Sequence, residues 1–123
     1  MVDCGKIINK LVVDGQVYGA LAQGIGLALS EDFEDLNKHT TLVKCGIPQI
    51  EDVPDDLEIH YEEAMRPDGP YGASGVGEGP LAAPHPAILN AIFNATGARI
   101  TRVPATPDVV KEALEGLKSG ANA

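Results

Sequence analysis

The sequence predicts an α+β fold, with mixed strands and helices in one domain. Three observations predict it. Short β-type runs alternate with segments of helical length, and no internal repeat links them. At 123 residues the chain is the size of one domain, with 44% hydrophobic and 22% charged residues, close to the globular average. Fourteen glycines and nine prolines are spread along it without a period, which predicts tight turns and close backbone approaches. With aromatics at 4% and no Trp, the core must come from Leu, Ile, Val and Ala.

Residues 2–8 read as a short strand entering a turn at Asn9 and Lys10. A chain that opens directly into a core element reads as cut from something larger. Residues 14–30 have helical length and no proline, with Asp14 as N-cap. Val17, Leu21, Ile25 and Ala28 form an apolar stripe on this helix. Gln16, Gly19, Gln23 and Gly26 share another face. Gly15, Gly19, Gly24 and Gly26 each cost the helix roughly 1 kcal/mol relative to alanine, so propensity alone does not select them. A smooth face lets another backbone or a ligand approach closely. The alternative is an exposed polar face, although exposed faces gain nothing from glycine.

Residues 31–38 read as a solvated acidic turn, 40–43 as a β-type run, and 47–54 as loop. Residues 57–61 alternate as a half-buried strand should. Residues 67–79 form a long loop with many glycines. Residues 80–96 are helical, restarted at Pro84 and Pro86 and stopped by Gly97, with Ile88, Ile92 and Ala95 as the apolar stripe. Residues 99–103 read as a short strand and 107–117 as an amphipathic helix. The expected boundaries are a domain over 1–117 and a frayed tail over 118–123.

Nine basic against eighteen acidic residues give a net charge of −9. That disfavours nucleic acid and anionic membrane surfaces as partners, and it serves solubility. No apolar run approaches the roughly 20 residues of a membrane span. Cys4 and Cys45 read as small buried thiols, not a disulfide framework, and the compartment expected is a reducing cytoplasm. His39, His60 and His85 are isolated and read as surface or capping side chains, so no metal-ligand set is expected.

The strongest chemical feature is Tyr-Gly-Ala-Ser-Gly-Val-Gly-Glu-Gly-Pro, residues 71–80. Ser74, Gly75, Val76 and Gly77 can present backbone N–H groups with little side-chain cover, which suits anionic or polar ligand atoms. Glu78 follows at the loop–helix junction, where a carboxylate can serve as a general base. The competing account is a glycine turn followed by an acidic helix-start residue. The loop lacks the Gly-Lys-Ser/Thr end of a P-loop and the spacing of a dinucleotide fingerprint.

Three ordered motifs carry a family resemblance. They are Asp-Cys-Gly-Lys-Ile-Ile-Asn (residues 3–9), Gly-Gln-Val-Tyr-Gly-Ala-Leu-Ala-Gln-Gly-Ile-Gly (residues 15–26) and Gly-Ala-Ser-Gly-Val-Gly-Glu (residues 72–78). Together they resemble the C-terminal part of the molybdenum hydroxylases, the xanthine oxidase and aldehyde oxidoreductase family, and most closely the bacterial aldehyde oxidoreductases. The resemblance runs over nearly the whole chain.

It implies part of a molybdenum-cofactor-binding domain, with Glu78 as the catalytic base beside molybdenum. It implies that Gln16 hydrogen-bonds the metal's oxo ligand, and that Ser74, Gly75, Val76 and Gly77 lie against the cofactor. The cofactor implied is molybdenum–molybdopterin in its cytosine dinucleotide form, and the reaction is oxidation of an aldehyde to a carboxylic acid. The implied partners are the remainder of the molybdenum-binding subunit and an iron–sulfur domain, which would carry the iron–sulfur clusters. Lys10 departs from the proline common after Ile-Asn. As a piece of a larger enzyme, the chain is expected to be inactive alone and to leave apolar surface exposed. The alternatives are a non-catalytic remnant or assembly module that binds a partner chain, and an acidic small-ligand domain without metal.

Overall fold

The structure, a computed structural model, describes residues 1–120. Its elements in order are β1 (Val2–Asp3), α1 (Lys10–Leu29), β2 (Tyr61–Glu62), α2 (Pro84–Thr96) and α3 (Pro107–Gly120), with 3₁₀ turns at Ile50–Asp52, Pro70–Gly72 and Gly79–Ala82. The fold is α+β, with helix predominating and strand reduced to one small ladder. β1 and β2 pair in parallel, Val2 opposite Tyr61 and Asp3 opposite Glu62.

α1 is the central element. It begins four residues earlier than the sequence indicates, because Asn9 is the N-cap and its side chain accepts the Val12 N–H at 3.2 Å. Asp14 lies inside the helix instead. There it takes both a salt bridge from Lys10, at 2.7 Å, and the Tyr61 hydroxyl, at 2.6 Å. The apolar stripe turns inward as expected: Val17 and Ala28 are buried, and Leu21 and Ile25 are half-buried. Cys4, Val13 and Val17 form a small core, against which Val2, Ile7, Leu21, Ile59, Tyr61 and Val76 pack. α1 packs against α2 where Gly24 meets Pro84. A Cβ on Gly24 would stand 2.6 Å from the proline ring, so only glycine permits that approach.

All four expected strands differ from the structure. Residues 40–43 form turns, because no partner strand lies beside them and the Cys45 N–H closes onto the Thr41 carbonyl at 2.9 Å. Residues 99–103 are irregular, and 2–8 and 57–61 contribute only β1 and the first residue of β2. The 80–96 helix is broken where its prolines indicate, into the 3₁₀ turn at Gly79–Ala82 and α2. Gly97 ends α2 in the left-handed region at φ 73°, its N–H donating to the Phe93 carbonyl. Of the expected stripe on α2, Ile88 and Ile92 are half-buried and Ala95 is exposed. α3 runs to Gly120, so residues 118–120 of the expected tail are helical; the rest of it, 121–123, lies outside the described residues.

Apolar burial is thin. No large side chain among the described residues is fully buried, while Leu11, Leu36 and Ile50 are each about four-fifths exposed. Both cysteines are free and buried, as their isolation in the sequence indicates.

The Tyr61–Asp14 bond ties β2 to α1 and has a pH signature. Burial, and next the hydrogen bond to Asp14, push the Tyr61 hydroxyl from its ordinary 10.0 up to about 12. A raised folded-state value stabilises fully below pH 10 and is lost as pH rises toward 12. In an alkaline titration followed by tyrosinate absorbance, one tyrosine should ionise late, and Tyr61→Phe should remove that late component. A late component that survives the substitution would assign it to Tyr18 or Tyr71 instead.

Candidate functional site

The glycine loop is anchored upstream and open beyond. The Ser74 N–H donates to the Cys4 carbonyl at 2.8 Å, and Ala73 bridges to Gly5. Beyond that point the N–H groups of Gly75, Val76, Gly77 and Glu78 donate to no described residue. The next backbone bond runs from the Leu81 N–H to the Glu78 carbonyl. Cβ atoms built on Gly75, Gly77 and Gly79 would meet nothing within 4 Å, and none of these residues needs positive φ. The chain's own packing therefore gives no reason for glycine at these three positions. Val76 alone turns inward, onto the core.

Glu78 occupies the N-cap position of the 3₁₀ turn at Gly79–Ala82, but its side chain makes no cap hydrogen bond, is exposed, and has no partner among the described residues. The helix-start account of this residue is thus left without a capping hydrogen bond.

On α1, Gln16 is also exposed and unpartnered among the described residues. It is flanked by Gly15 and followed by Gly19, and neither glycine meets anything within 4 Å of a built Cβ. The shared face of α1 is only partly smooth. Gly19 and Gln23 line an open cavity of about 490 Å³ with Ala22, Glu31, Phe33 and Pro48. Gly26 is closed over by Glu31 and Pro48, which a Cβ would strike. Burial holds the Glu31 carboxyl above its ordinary range.

α1 packs directly against the 3₁₀ turn that follows Glu78. Val17 and Gly79, the neighbours of Gln16 and Glu78, line one cavity of about 320 Å³ together with Leu21, Ile59 and Pro80. The structure brings the two elements together, but it neither buries the two side chains nor bonds one to the other. Ser74 is exposed as well.

No group of three or more His, Cys, Asp or Glu among the described residues is placed to hold a metal ion. His39 is half-buried and accepts the Asp35 N–H on Nδ1, His60 is exposed, and His85 is half-buried with a buried Nδ1 that has no partner. No described helix is long and apolar enough to cross a membrane.

Sequence reasoning missed Asp3 and Arg66, which join the segments at the base of the loop, and the Asp14–Tyr61 bond. Asp-Cys-Gly is the pattern of an Asx turn, and that signal pointed to Asp3.

Residues 1–54 match the family model for a molybdopterin cofactor-binding domain. The chain is 63% identical over 115 residues to the aldehyde oxidoreductase of Megalodesulfovibrio gigas, a match covering 94% of this chain and 13% of that protein. The solved aldehyde oxidoreductase of Desulfovibrio desulfuricans superposes with a TM-score of 0.88 at 66% identity, over 90% of this chain and 12% of that one. The quinoline 2-oxidoreductase of Pseudomonas putida superposes at 0.80 with 33% identity, over 92% and 15%. The chain thus spans roughly an eighth of the length of these aldehyde oxidoreductases. Sharing both sequence and fold with these proteins over nine-tenths of its residues, the chain belongs to the molybdenum hydroxylase family, as one segment of its molybdopterin-binding architecture.

Proposed function

We propose that residues 1–117 supply one wall of the cofactor pocket and the catalytic glutamate of a molybdenum-dependent aldehyde oxidoreductase. One observation carries this: four consecutive backbone donors, on Gly75, Val76, Gly77 and Glu78, are unused beside glycines whose outer faces are open. Unpaired N–H groups are costly once water is excluded, so a ligand rich in acceptor atoms is what completes such a loop.

A molybdenum–molybdopterin group fits this wall. It is bulky and rich in acceptor oxygens, and it needs space where a Cβ would otherwise stand. With no side-chain metal site among the described residues, the chain would hold it through backbone donors and amides. The form proposed is the cytosine dinucleotide, as the sequence resemblance implies. Iron–sulfur clusters would lie on the rest of the enzyme.

The cofactor, when bound, supplies the two-electron oxidation that converts an aldehyde to a carboxylic acid. This chain's residues bind, orient and move a proton. The N–H groups of Gly75, Val76 and Gly77 donate to acceptor atoms and fix the ligand against the loop, at no reorganisation cost during reaction. Ser74 adds a hydroxyl at the loop's entrance. Gln16 presents an amide from α1, able both to donate and to accept. Glu78 takes the proton from the attacking oxygen onto Oε and later releases it to solvent. In this role its lack of an intramolecular partner is useful, because no bond must break before it accepts.

The exposure of Leu11, Leu36 and Ile50 favours a second reading, an assembly module whose task is to bind a partner chain. Co-expression with the complementary part of the Megalodesulfovibrio gigas aldehyde oxidoreductase separates the two. The first reading expects a purified complex that contains molybdenum by elemental analysis and oxidises an aldehyde. A stable complex without molybdenum leaves only the assembly module.

A further inference from the structure

We infer that Asp3 is a positioning residue, whose carboxylate holds the base of the 74–77 loop and thereby sets where Glu78 and the unused donors sit. This rests on the role proposed above for that loop. Asp3 ties the first segment to the residues after β2, and through Arg66 to the turn before the loop; Glu63 adds a parallel tie by accepting the Ile7 N–H at 3.0 Å and pairing with Lys6 at 2.9 Å. The Asp3 Oδ1 accepts the N–H groups of Gly5 at 3.0 Å and Ala64 at 3.3 Å. Its Oδ2 accepts Arg66 Nη2 at 2.9 Å. The Arg66 N–H then donates to the Gly72 carbonyl at 3.0 Å, which also accepts the Lys6 N–H at 2.9 Å. From this shared carbonyl the chain passes to Ser74, whose N–H is held by the Cys4 carbonyl beside Asp3.

Gly5 makes the close approach possible. Its φ is +64°, and a Cβ there would collide with the Gly72 carbonyl oxygen. The Asp3–Gly5 turn therefore aims the Cys4 carbonyl at Ser74. The Gly5 N–H first, and then Arg66 and Ala64, hold the Asp3 carboxyl below the usual carboxylate range against a partial cost of burial. The anchor is thus charged at neutral pH and weakens only as pH falls through the lowered value. Among the described residues the stretch between Ser74 and the Glu78 carbonyl makes no other hydrogen bond, and within it the Val76 side chain packs on the core. The base is therefore the upstream restraint on Glu78, as the 3₁₀ turn packed on α1 is the downstream one. A shift of about 1 Å in a reacting group can cost roughly a hundredfold in rate.

The test uses Asp3→Asn, which keeps one acceptor and removes the charge facing Arg66, with Asp3→Ala as the stronger variant. In the reassembled enzyme, turnover per molybdenum should fall roughly tenfold to a hundredfold, with KM for the aldehyde little changed. A purely structural role would lower the yield of complex and leave turnover per molybdenum at the wild-type level, which overturns the inference. Amide hydrogen exchange on the chain itself supplies the second arm. Exchange at Ser74 should accelerate in both variants, while exchange at Ala105, whose N–H bonds the distant Ala28 carbonyl, should not. Unchanged exchange at Ser74 overturns the anchoring, even if the wild-type assembly proves free of molybdenum and the role of Glu78 fails on its own.

Discussion

Replacing Glu78 with Gln in the reassembled enzyme should reduce aldehyde oxidation by about a thousandfold while molybdenum content stays near that of the unaltered complex. Gln keeps the length and shape of Glu but cannot accept a proton, and a positioned general base is worth about 10²–10⁴ in rate. The structure makes this a clean substitution. The Glu78 side chain makes no cap hydrogen bond, pairs with nothing among the described residues and is exposed, so its carboxylate bonds neither the 3₁₀ turn nor the core. A change at such a position ordinarily costs within about 0.5 kcal/mol of stability. Loss of activity therefore cannot be charged to unfolding. The measurement is kcat per molybdenum for the two complexes side by side. Activity within a few-fold of the parent would remove Glu78 from the chemistry, and loss of the metal along with the rate would make it a binding residue instead.

Gly19→Leu should act in opposite directions in two states of the protein. A Cβ at this exposed helical position meets nothing within 4 Å, so the chain alone should become more stable, by roughly 0.5–1 kcal/mol from helix propensity. In the assembled enzyme the same leucine fills the mouth of the cavity that Gly19 shares with Gln23 and Phe33. Overpacking a fitted interface costs about 1–3 kcal/mol, which corresponds to roughly tenfold to a hundredfold weaker cofactor retention. The two halves are read by thermal unfolding of the chain and by molybdenum content of the complex. Full loading in a stabilised variant would show that the smooth face of α1 meets no cofactor and that its glycines answer to something else. A destabilised chain would contradict the open surroundings of Gly19.

Much of what mattered was legible locally. The bare run 74–77, Glu78 at its end, the break at Pro84 and the stop at Gly97 are properties of neighbouring residues, and short-range chemistry decides them. The mixed class was legible for the same reason. The errors arose wherever a local preference needed a distant partner. Thr40, Thr41, Leu42 and Val43 have the composition of a strand, but no second strand lies alongside, and β-propensity expresses only a fit to such a neighbour. Asp14 is as good a cap as Asn9 by residue type. It sits inside the helix because Lys10 and Tyr61, the latter 47 positions away, supply its partners there.

By itself the sequence determined that an unclothed loop ending in a carboxylate exists, that a helix carries more glycine than its own stability favours, and that the chain resembles one enzyme family. Backbone freedom, missing side chains and residue order are all written in the primary structure. Only the tertiary structure decided which glycines answer to the chain's own packing, as Gly24 does to Pro84 and Gly5 to Gly72, and which, like Gly15, Gly19, Gly75 and Gly77, face open space. It also decided that Asp3 reaches Gly5, Ala64 and Arg66 at once. The physical reason is range: a conformational preference acts within a few residues, whereas a close approach or a shared carboxylate depends on where segments tens of residues apart come to lie.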